Sequence, residues 1–177
     1  MNCSVSYSID DVQVRRIEPG DVPTVREIIM QNILAYNLLP DCDNREKLEQ
    51  FLAQHKNLSD LEDIDGIYTS ARGVMYVLAR HAKVYGVGAI KNFDENTCEV
   101  RRMFLAQEQC GRGYGTRLLI KLLEEAKELG YSHARLEVYN PLLQASAIAF
   151  YLKFGFTKRE HYKEGGPENK LSMEKKL

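Results

Sequence analysis

The segment from Cys98 to Gly130 constrains the fold of this chain more than any other stretch of its sequence. It contains an apolar run, Val100 to Leu105, which is typical of a buried strand. A short polar loop with Gly111, Gly113 and Gly115 follows, and then comes a long amphipathic helix that Gly130 is placed to end. The sequence therefore predicts a strand, a glycine-rich loop and a helix in direct succession.

A glycine-rich loop that leads into a helix can bind an anion. The first N–H groups of a helix have no partners within the helix and carry partial positive charge, and glycine lets an anion approach these donors closely. Arg112 adds a cationic side chain to the same loop. We therefore expect a phosphorylated ligand to bind here.

Two familiar nucleotide-binding loops fit these residues poorly. A P-loop requires Lys followed by Ser or Thr, and no lysine lies between Gly111 and Thr116, so this class is excluded. A dinucleotide fingerprint requires a third glycine where Thr116 stands, although Glu137 lies near the position that such a fold gives to its ribose-binding acid. A dinucleotide-binding oxidoreductase, which predicts a parallel sheet, stays open as an alternative.

The loop resembles the pyrophosphate loop of the GNAT superfamily of acyl-CoA-dependent N-acyltransferases. That loop has Gln or Arg, two further residues, Gly, one residue and then Gly or Ala. Gly113 and Gly115 hold the two glycine positions here and Arg112 holds the usual basic one, whereas Cys110 stands where Gln or Arg is expected. The departure removes one polar side chain from a loop that binds pyrophosphate mainly through backbone amides.

A second motif makes the resemblance specific. The segment from Ala147 to Phe156 is similar to the family's helix that carries a tyrosine, here Tyr151, and ends at Gly-Phe before the next strand. Two motifs in the right order are much less probable by chance than either alone. The similarity extends from about Tyr85 to Lys175.

The resemblance implies an α/β (α+β) fold with a mixed, mostly antiparallel central sheet and helices on both faces. Sequence periodicity gives compatible elements over 1–177, which we interpret as a single domain. The predicted helices are Val22–Tyr36, Asn44–His55 and Thr116–Leu129, and the predicted strands are Val12–Ile17, Val74–Arg80, Val84–Phe93, Val100–Leu105, His133–Tyr139, Thr157–Tyr162 and Leu171–Lys175. The last two are expected to form a hairpin around Gly165-Gly166-Pro167.

The resemblance also implies a binding site for acetyl-CoA as cosubstrate. The pantetheine arm is expected to contact the backbone of Met103, Phe104 and Leu105, with Asn140 and Gln144 as candidates for polar contacts to its amides. Gln144 occupies the slot in which many family members have Asn. The pyrophosphate is expected at the loop residues Cys110, Gly111, Arg112, Gly113, Tyr114, Gly115 and Thr116.

By the same resemblance the chain is expected to move an acetyl group to a primary amine by direct attack on the thioester. Glu99 matches the basic glutamate of the histone acetyltransferase branch, and Tyr151 matches the tyrosine that protonates the leaving thiolate. Each has a purely structural alternative: an ion pair with Arg101 or Arg102 for Glu99, and simple packing for Tyr151. A noncatalytic acyl-CoA sensor on the same fold is the alternative function.

Composition excludes several partners and cofactors. The formal net charge of −1 provides no global basic field for nucleic acid or an anionic membrane. Four cysteines without a paired spacing predict neither a metal site nor a disulfide framework, and the absence of a signal-like or membrane-spanning stretch predicts a cytoplasmic protein. Dimers are common among members of the family, so the oligomeric state stays open between monomer and homodimer.

The acceptor amine is identified only as a small molecule or a peptide. Between Asp41 and Asp65 eight acidic residues face Arg45, Lys47 and Lys56 as the only basic ones. We interpret this excess either as a solvated helix face and loop or as an acidic lip that attracts a cationic amine.

Overall fold

The computed structural model describes residues 11–39, 41–55, 57–159 and 170–177. Within these residues the strands are β1 (Gln13–Arg16), β2 (Val74–Arg80), β3 (Lys83–Asn92), β4 (Thr97–Leu105), β5 (His133–Val138), β6 (Thr157–Arg159) and β7 (Leu171–Lys176). The α-helices are α1 (Val22–Ala35), α2 (Arg45–His55), α3 (Ile64–Ile67), α4 (Tyr114–Glu128) and α5 (Ala145–Lys153).

The described strands form one sheet in the order β1-β2-β3-β4-β5-β7-β6. Neighbouring strands are antiparallel except β4 and β5, which are parallel and are connected through α4. The mixed, mostly antiparallel sheet with helices on both faces confirms the predicted fold class. The dinucleotide-binding alternative is wrong, because it requires a parallel sheet.

Helices cover the two faces of the sheet and bury separate cores. Helices α1 and α2 pack on one face, which we call the α1 face, against residues such as Val87 and Ala89. Helices α4 and α5 pack on the other, the α4 face, against residues such as Ile90 and Val100. Ala89 and Ile90 belong to different cores because successive side chains of a strand point to opposite faces.

Helix α4 presents one apolar stripe to the sheet, as its periodicity predicts. Leu118, Leu119 and Leu122 are fully buried. Gly130 follows the helix with a φ of 84°, the left-handed conformation that commonly ends a helix. This packing fixes the start of α4 beside the end of β4.

Side-chain hydrogen bonds close the turn before β4. The side chain of Asp94 accepts hydrogen bonds from the amides of Asn96 (2.9 Å) and Thr97 (2.8 Å). These bonds close the turn immediately before the strand, so β4 begins at Thr97 rather than at the predicted Val100.

Two other segments compare with the prediction as follows: residues 59–73 are more helical than expected, and the C-terminal hairpin is described only in its two strands. Residues 59–73, for which no helix or strand is predicted, contain α3 and the 3-10 turns Ser59–Leu61 and Thr69–Ala71. Strands β6 and β7 pair in antiparallel fashion, as the predicted hairpin requires. Its turn at Gly165-Gly166-Pro167 lies outside the described residues.

Candidate active site

Strands β4 and β5 part soon after they meet. They pair through Thr97–Glu99 and His133–Arg135. Beyond these residues β4 continues along β3 and β5 continues along β7. The facing edges of residues 100–104 and 136–138 therefore have no ladder partner among the described strands, and their N–H and C=O groups can bind an extended amide chain that enters the gap.

A β-bulge in β4 accounts for this parting. Val87 pairs with Phe104 and Ala89 with Arg101, so β4 contains one residue more than β3 over this stretch. Within it Arg102 has a φ of 56°, a left-handed conformation that is uncommon for a residue other than glycine. A bulge bends its strand and increases the local twist, which turns β4 away from β5.

A buried ion pair holds Arg102 at the bulge. Its Nε and Nη2 donate to the two carboxylate oxygens of Asp60 at 3.0 and 2.9 Å, and Nη2 also donates to the Asn57 carbonyl at 2.6 Å. The Tyr68 hydroxyl donates to the same carboxylate at 2.5 Å. Burial by itself would raise the pKa of Asp60, but hydrogen bonding and the charge of Arg102 hold that pKa below its ordinary value.

The gap contains a cavity of about 220 Å³ that reaches both faces of the sheet. Side chains from α1, α2 and the segments that follow them line it on the α1 face, and α5 lines it on the α4 face. The lining residues are Ile33, Leu38, Leu39, Leu52, Asn57, Leu58, Glu99, Val100, Arg101, Arg102, Met103, Phe104, Leu136, Glu137, Val138, Tyr139, Gln144, Ala147 and Tyr151. Two reactants can therefore meet there from opposite faces.

The glycine-rich loop leaves a set of main-chain donors available at the start of α4. In the described part of the chain, the amides from Gly111 to Thr116 donate to no backbone carbonyl. Gly111 and Gly113 both have a φ of 78°, and a Cβ atom at either would meet nothing within 4 Å. Open space therefore lies beside donors that carry the positive end of the helix dipole, as an anion site requires.

The side chains of this loop differ in their roles. Arg112 and Cys110 are exposed. Tyr114 is buried against Tyr85, with ring centroids 6.3 Å apart, so its side chain anchors the first turn of α4 and its amide is the group available for binding.

Tyr151 lies on α5 and lines the cavity. It is 8% exposed and packs edge-on against Phe150 and Phe156, with ring centroids 5.3 and 5.7 Å away. Burial raises the pKa of its phenol above the ordinary value, which keeps the proton on the oxygen. Among the described residues the hydroxyl has no hydrogen-bond partner.

Glu99 lies on β4 and lines the same cavity. Its side chain is 10% exposed, and one carboxylate oxygen is 3.8 Å from Nε of Arg101. In the sheet it is flanked by Lys91 on β3 and Arg135 on β5. A carboxylate at this position can accept a proton, or it can order a water molecule that accepts one.

The other predicted site residues separate into two groups. Met103, Phe104 and Gln144 line the cavity, whereas Leu105 and Asn140 do not. The Leu105 carbonyl accepts a hydrogen bond from Nδ2 of the buried Asn32 at 2.9 Å, which fastens the end of β4 to α1.

Asn140 connects the end of β5 to the end of α1. Its Nδ2 donates to the carbonyls of Tyr36 and Asn37 at 3.2 and 3.4 Å, and its backbone amide donates to Oε1 of Gln144 at 3.4 Å. Contact of Asn140 and Gln144 with a cofactor stays a prediction.

Comparison with known proteins agrees with this geometry. The model of the Acetyltransferase (GNAT) family matches residues 36–156, which include the gap, the glycine-rich loop and α5. The chain belongs to the GNAT family. It is an N-acetyltransferase, as curated relatives of GNAT type also indicate.

Individual relatives are similar over most of the chain. An IAA acetyltransferase of Azospirillum brasilense is 34% identical over 140 residues, which cover 75% of this chain and 87% of the relative. The uncharacterized N-acetyltransferase YjgM of Escherichia coli is 25% identical over 146 residues, or 81% of this chain and 80% of that protein.

Solved GNAT structures share the fold at low sequence identity. An acetyltransferase from Streptococcus agalactiae has a TM-score of 0.73 at 18% identity and covers 96% of this chain and 100% of its own. The PaiA N-acetyltransferase from Thermoplasma acidophilum, solved in complex with coenzyme A, has a TM-score of 0.73 at 19% identity, with 94% and 99% coverage. These likenesses concern the fold.

Sequence reasoning missed the buried residues that support this GNAT site. Asp60 is one of the eight acids assigned to a solvated face or an acidic lip, but it is 6% exposed and paired with Arg102. That part of the acidic-lip interpretation is wrong, because a neutralised carboxylate in the interior attracts no amine. Asn32 carried no signal beyond being a polar residue within the apolar stripe of α1.

Two features are absent from the described residues. None of the helices has both the length and the apolar character needed to span a membrane. The same residues contain no group of three His, Cys, Asp or Glu side chains arranged to hold a metal ion.

Proposed function

We propose that this N-acetyltransferase transfers an acetyl group from acetyl-CoA to a primary amine by direct attack of the amine on the thioester. The observation that carries the proposal is the parting of β4 and β5 beside the available amides at the start of α4. One feature suits an extended amide chain and the other suits a diphosphate, and coenzyme A contains both. The T. acidophilum neighbour was solved with coenzyme A, which supports the same ligand here.

The residues present fit acetyl-CoA. The backbone of Met103 and Phe104 lies on the cavity and would bind the pantetheine arm. The amides from Gly111 to Thr116 would bind the pyrophosphate, with Arg112 as an exposed cation beside them. When bound, the thioester supplies an activated acyl group. Cys110 in place of the usual Gln or Arg leaves this backbone set unchanged.

Glu99 is proposed to accept the proton of the amine, directly or through a water. An amine with a pKa of about 10.4 is neutral in only about one molecule in a few thousand at pH 7, so a base increases the reactive fraction. The carboxylate is buried at the cavity on the α1 face, where α1 and α2 supply the remaining wall for an acceptor.

Tyr151 is proposed to give a proton to the departing thiolate. A phenol is protonated at neutral pH, burial favours that form further, and the hydroxyl makes no hydrogen bond to another described residue. A free thiolate leaves less readily than a thiol, so the proton lowers the barrier of the step in which the C–S bond breaks.

Tyr151→Phe tests this assignment. We expect turnover, followed as free thiol release with an amine panel, to fall by about 10²-fold or more. The affinity for acetyl-CoA should stay within about twofold by calorimetry, because the ligand is bound mainly by backbone.

Tyr131→Phe is the matched control. It removes the hydroxyl of another buried tyrosine, which donates a 2.8 Å hydrogen bond to the Arg72 carbonyl. Tyr131 does not line the cavity, so this variant should leave turnover unchanged. Unchanged turnover in Tyr151→Phe would remove Tyr151 from the mechanism. Acetyl-CoA binding by the wild type without thiol release for any amine would indicate an acyl-CoA sensor instead.

A further inference from the structure

Four charged side chains line the cavity, and they are Glu99, Arg101, Arg102 and Glu137. Arg102 is bound by both oxygens of Asp60. Glu137 has Nζ of Lys170 at 3.3 Å, and both of those side chains are less than 10% exposed. Glu99 and Arg101 also line the cavity, with one Glu99 carboxylate oxygen 3.8 Å from Nε of Arg101.

Arg101 is available for an anion in a way that Arg102 is not. Its side chain is 33% exposed, and its Nε lies 3.8 Å from the Glu99 carboxylate, beyond hydrogen-bond distance. Among the described residues its guanidinium makes no hydrogen bond. It therefore offers planar donors to a ligand at the cavity, and carboxylate geometry matches them bidentately.

Glu99 and Arg101 lie side by side on the α1 face. Arg101 pairs across the sheet with Ala89, which belongs to the α1-face core, and Glu99 is two residues earlier on the same strand. A ligand that binds both must carry a basic nitrogen and an anion about as close together as their partners. In an α-amino acid these groups are separated by one carbon, and roughly 3 Å lies between the nitrogen and the nearer carboxylate oxygen.

The cavity has an apolar wall on the α1 face. It consists of Ile33 from α1, Leu38 and Leu39 from the segment after it, Leu52 from α2 and Leu58. Leu52 and Leu58 are less than 5% exposed and belong to the α1-face core, so the wall is rigidly supported. Such a wall binds an apolar side chain and disfavours a charged one.

From these contacts we infer that the acceptor is a free α-amino acid with an apolar side chain, whose carboxylate binds Arg101 while its amine faces Glu99. This inference rests on the proposed acyl transfer. Arg101 then determines specificity: it separates a free amino acid from an amine without a carboxylate, which includes the amino terminus of a peptide. The cavity volume is about 220 Å³ in all, and the thioester end of acetyl-CoA would take up part of it, so the space left suits a small acceptor.

The test compares leucine, leucinamide and the dipeptide Leu-Gly as acceptors for the full chain with acetyl-CoA, by thiol release and mass of the product. We expect kcat/KM for leucine to exceed that for leucinamide and Leu-Gly by about 10- to 100-fold, the worth of a charge-assisted contact. Aspartate should be a poorer acceptor than leucine because of the apolar wall.

Arg101→Gln should lower kcat/KM for leucine by about the same factor and leave that for leucinamide within about threefold, so the discrimination disappears. Arg101→Lys should recover part of it, because lysine keeps the charge but not the bidentate geometry. Lys127→Gln, an exposed charge removal at the far end of α4, should change neither value. Circular dichroism and acetyl-CoA affinity show whether each variant is folded.

The results distinguish a failure of the amino-acid inference from a failure of the proposed acyl transfer. Equal or better transfer to leucinamide or Leu-Gly, or an equal loss for leucine and leucinamide in Arg101→Gln, would overturn the amino-acid inference and leave acyl transfer standing. Thiol release with other amines of the panel, but not with leucine, would also overturn the amino-acid inference alone. If no amine of the panel gives thiol release, acyl transfer itself is overturned, and the inference with it.

Discussion

Replacement of Asp60 by alanine should destabilise the protein much more than replacement of an exposed acidic residue would. The carboxylate is 6% exposed and accepts two hydrogen bonds from Arg102 and one from the Tyr68 hydroxyl. In Asp60→Ala the Arg102 cation keeps the Asn57 carbonyl as a partner but loses its counter-ion, with a side chain that is only 15% exposed.

The expected loss follows from this burial. Removal of one partner from a buried ion pair costs about 3–5 kcal/mol, because the other charge is left uncompensated. The remaining Asn57 contact and the slight exposure of Arg102 place Asp60→Ala near the lower end, at about 3 kcal/mol. For a chain of this size that corresponds to a decrease of about 6–12 °C in Tm.

Urea unfolding and thermal melting measure the effect, with Glu27→Ala as a matched control. Glu27 also forms a bidentate pair, with Arg45 at 2.9 Å through both oxygens, but there the side chains are 38% and 59% exposed. That control should lose much less stability than Asp60→Ala, because water screens an exposed pair. Equal losses in the two variants would refute the reasoning that burial gives the Asp60 pair its strength.

Three shorter predictions concern the rest of the molecule. Gly113→Ala should cost about 1–2 kcal/mol through its positive φ and weaken coenzyme A binding in calorimetry, whereas Gly20→Ala, which also meets no neighbouring atom, should do neither. Tyr76→Phe removes a 2.6 Å hydrogen bond to the buried Glu125 and should lower the free energy of unfolding, measured in urea, by about 1.5–3 kcal/mol. A loss below about 0.5 kcal/mol would contradict this prediction. The pKa of Asp60 in the folded state lies below its unfolded value of about 3.9. The ionised carboxylate therefore stabilises the protein above that pH, and this stabilisation is lost as the pH falls through the folded-state pKa. Lowering the pH should thus reduce the difference in unfolding free energy between wild type and Asp60→Ala.

The parts of the candidate site that could be predicted are those with a local pattern. The predicted glycine-rich loop lies between β4 and α4, where Gly111 and Gly113 adopt positive φ, and Tyr151 lies on a helix beside the gap. Helix periodicity and glycine punctuation express the backbone preferences of neighbouring residues, so a short stretch contains enough information. The catalytic and cofactor-binding roles of these residues stay predictions.

The supporting residues could not be predicted because their partners are distant in sequence. Arg102 and Asp60 are 42 positions apart, and Asn32 and Leu105 are 73 apart. No periodicity distinguishes Asp60 from the acids beside it, which do face solvent. Only the packing of residues 57–68 against the α1 face turns one of them into a buried counter-ion.

The amino-acid sequence by itself determined the order of elements from β4 to α5, the glycine-rich loop and the family resemblance. It did so because hydrophobic period and turn chemistry act over a few residues. Tertiary structure alone decided where β4 leaves β5, since the extra residue at Arg102 becomes a bulge only when β3 sets the register beside it. It likewise brought Arg101, Glu99 and the leucines of three separate segments to one cavity, because side chains far apart in the chain meet only when the sheet and its helices pack together.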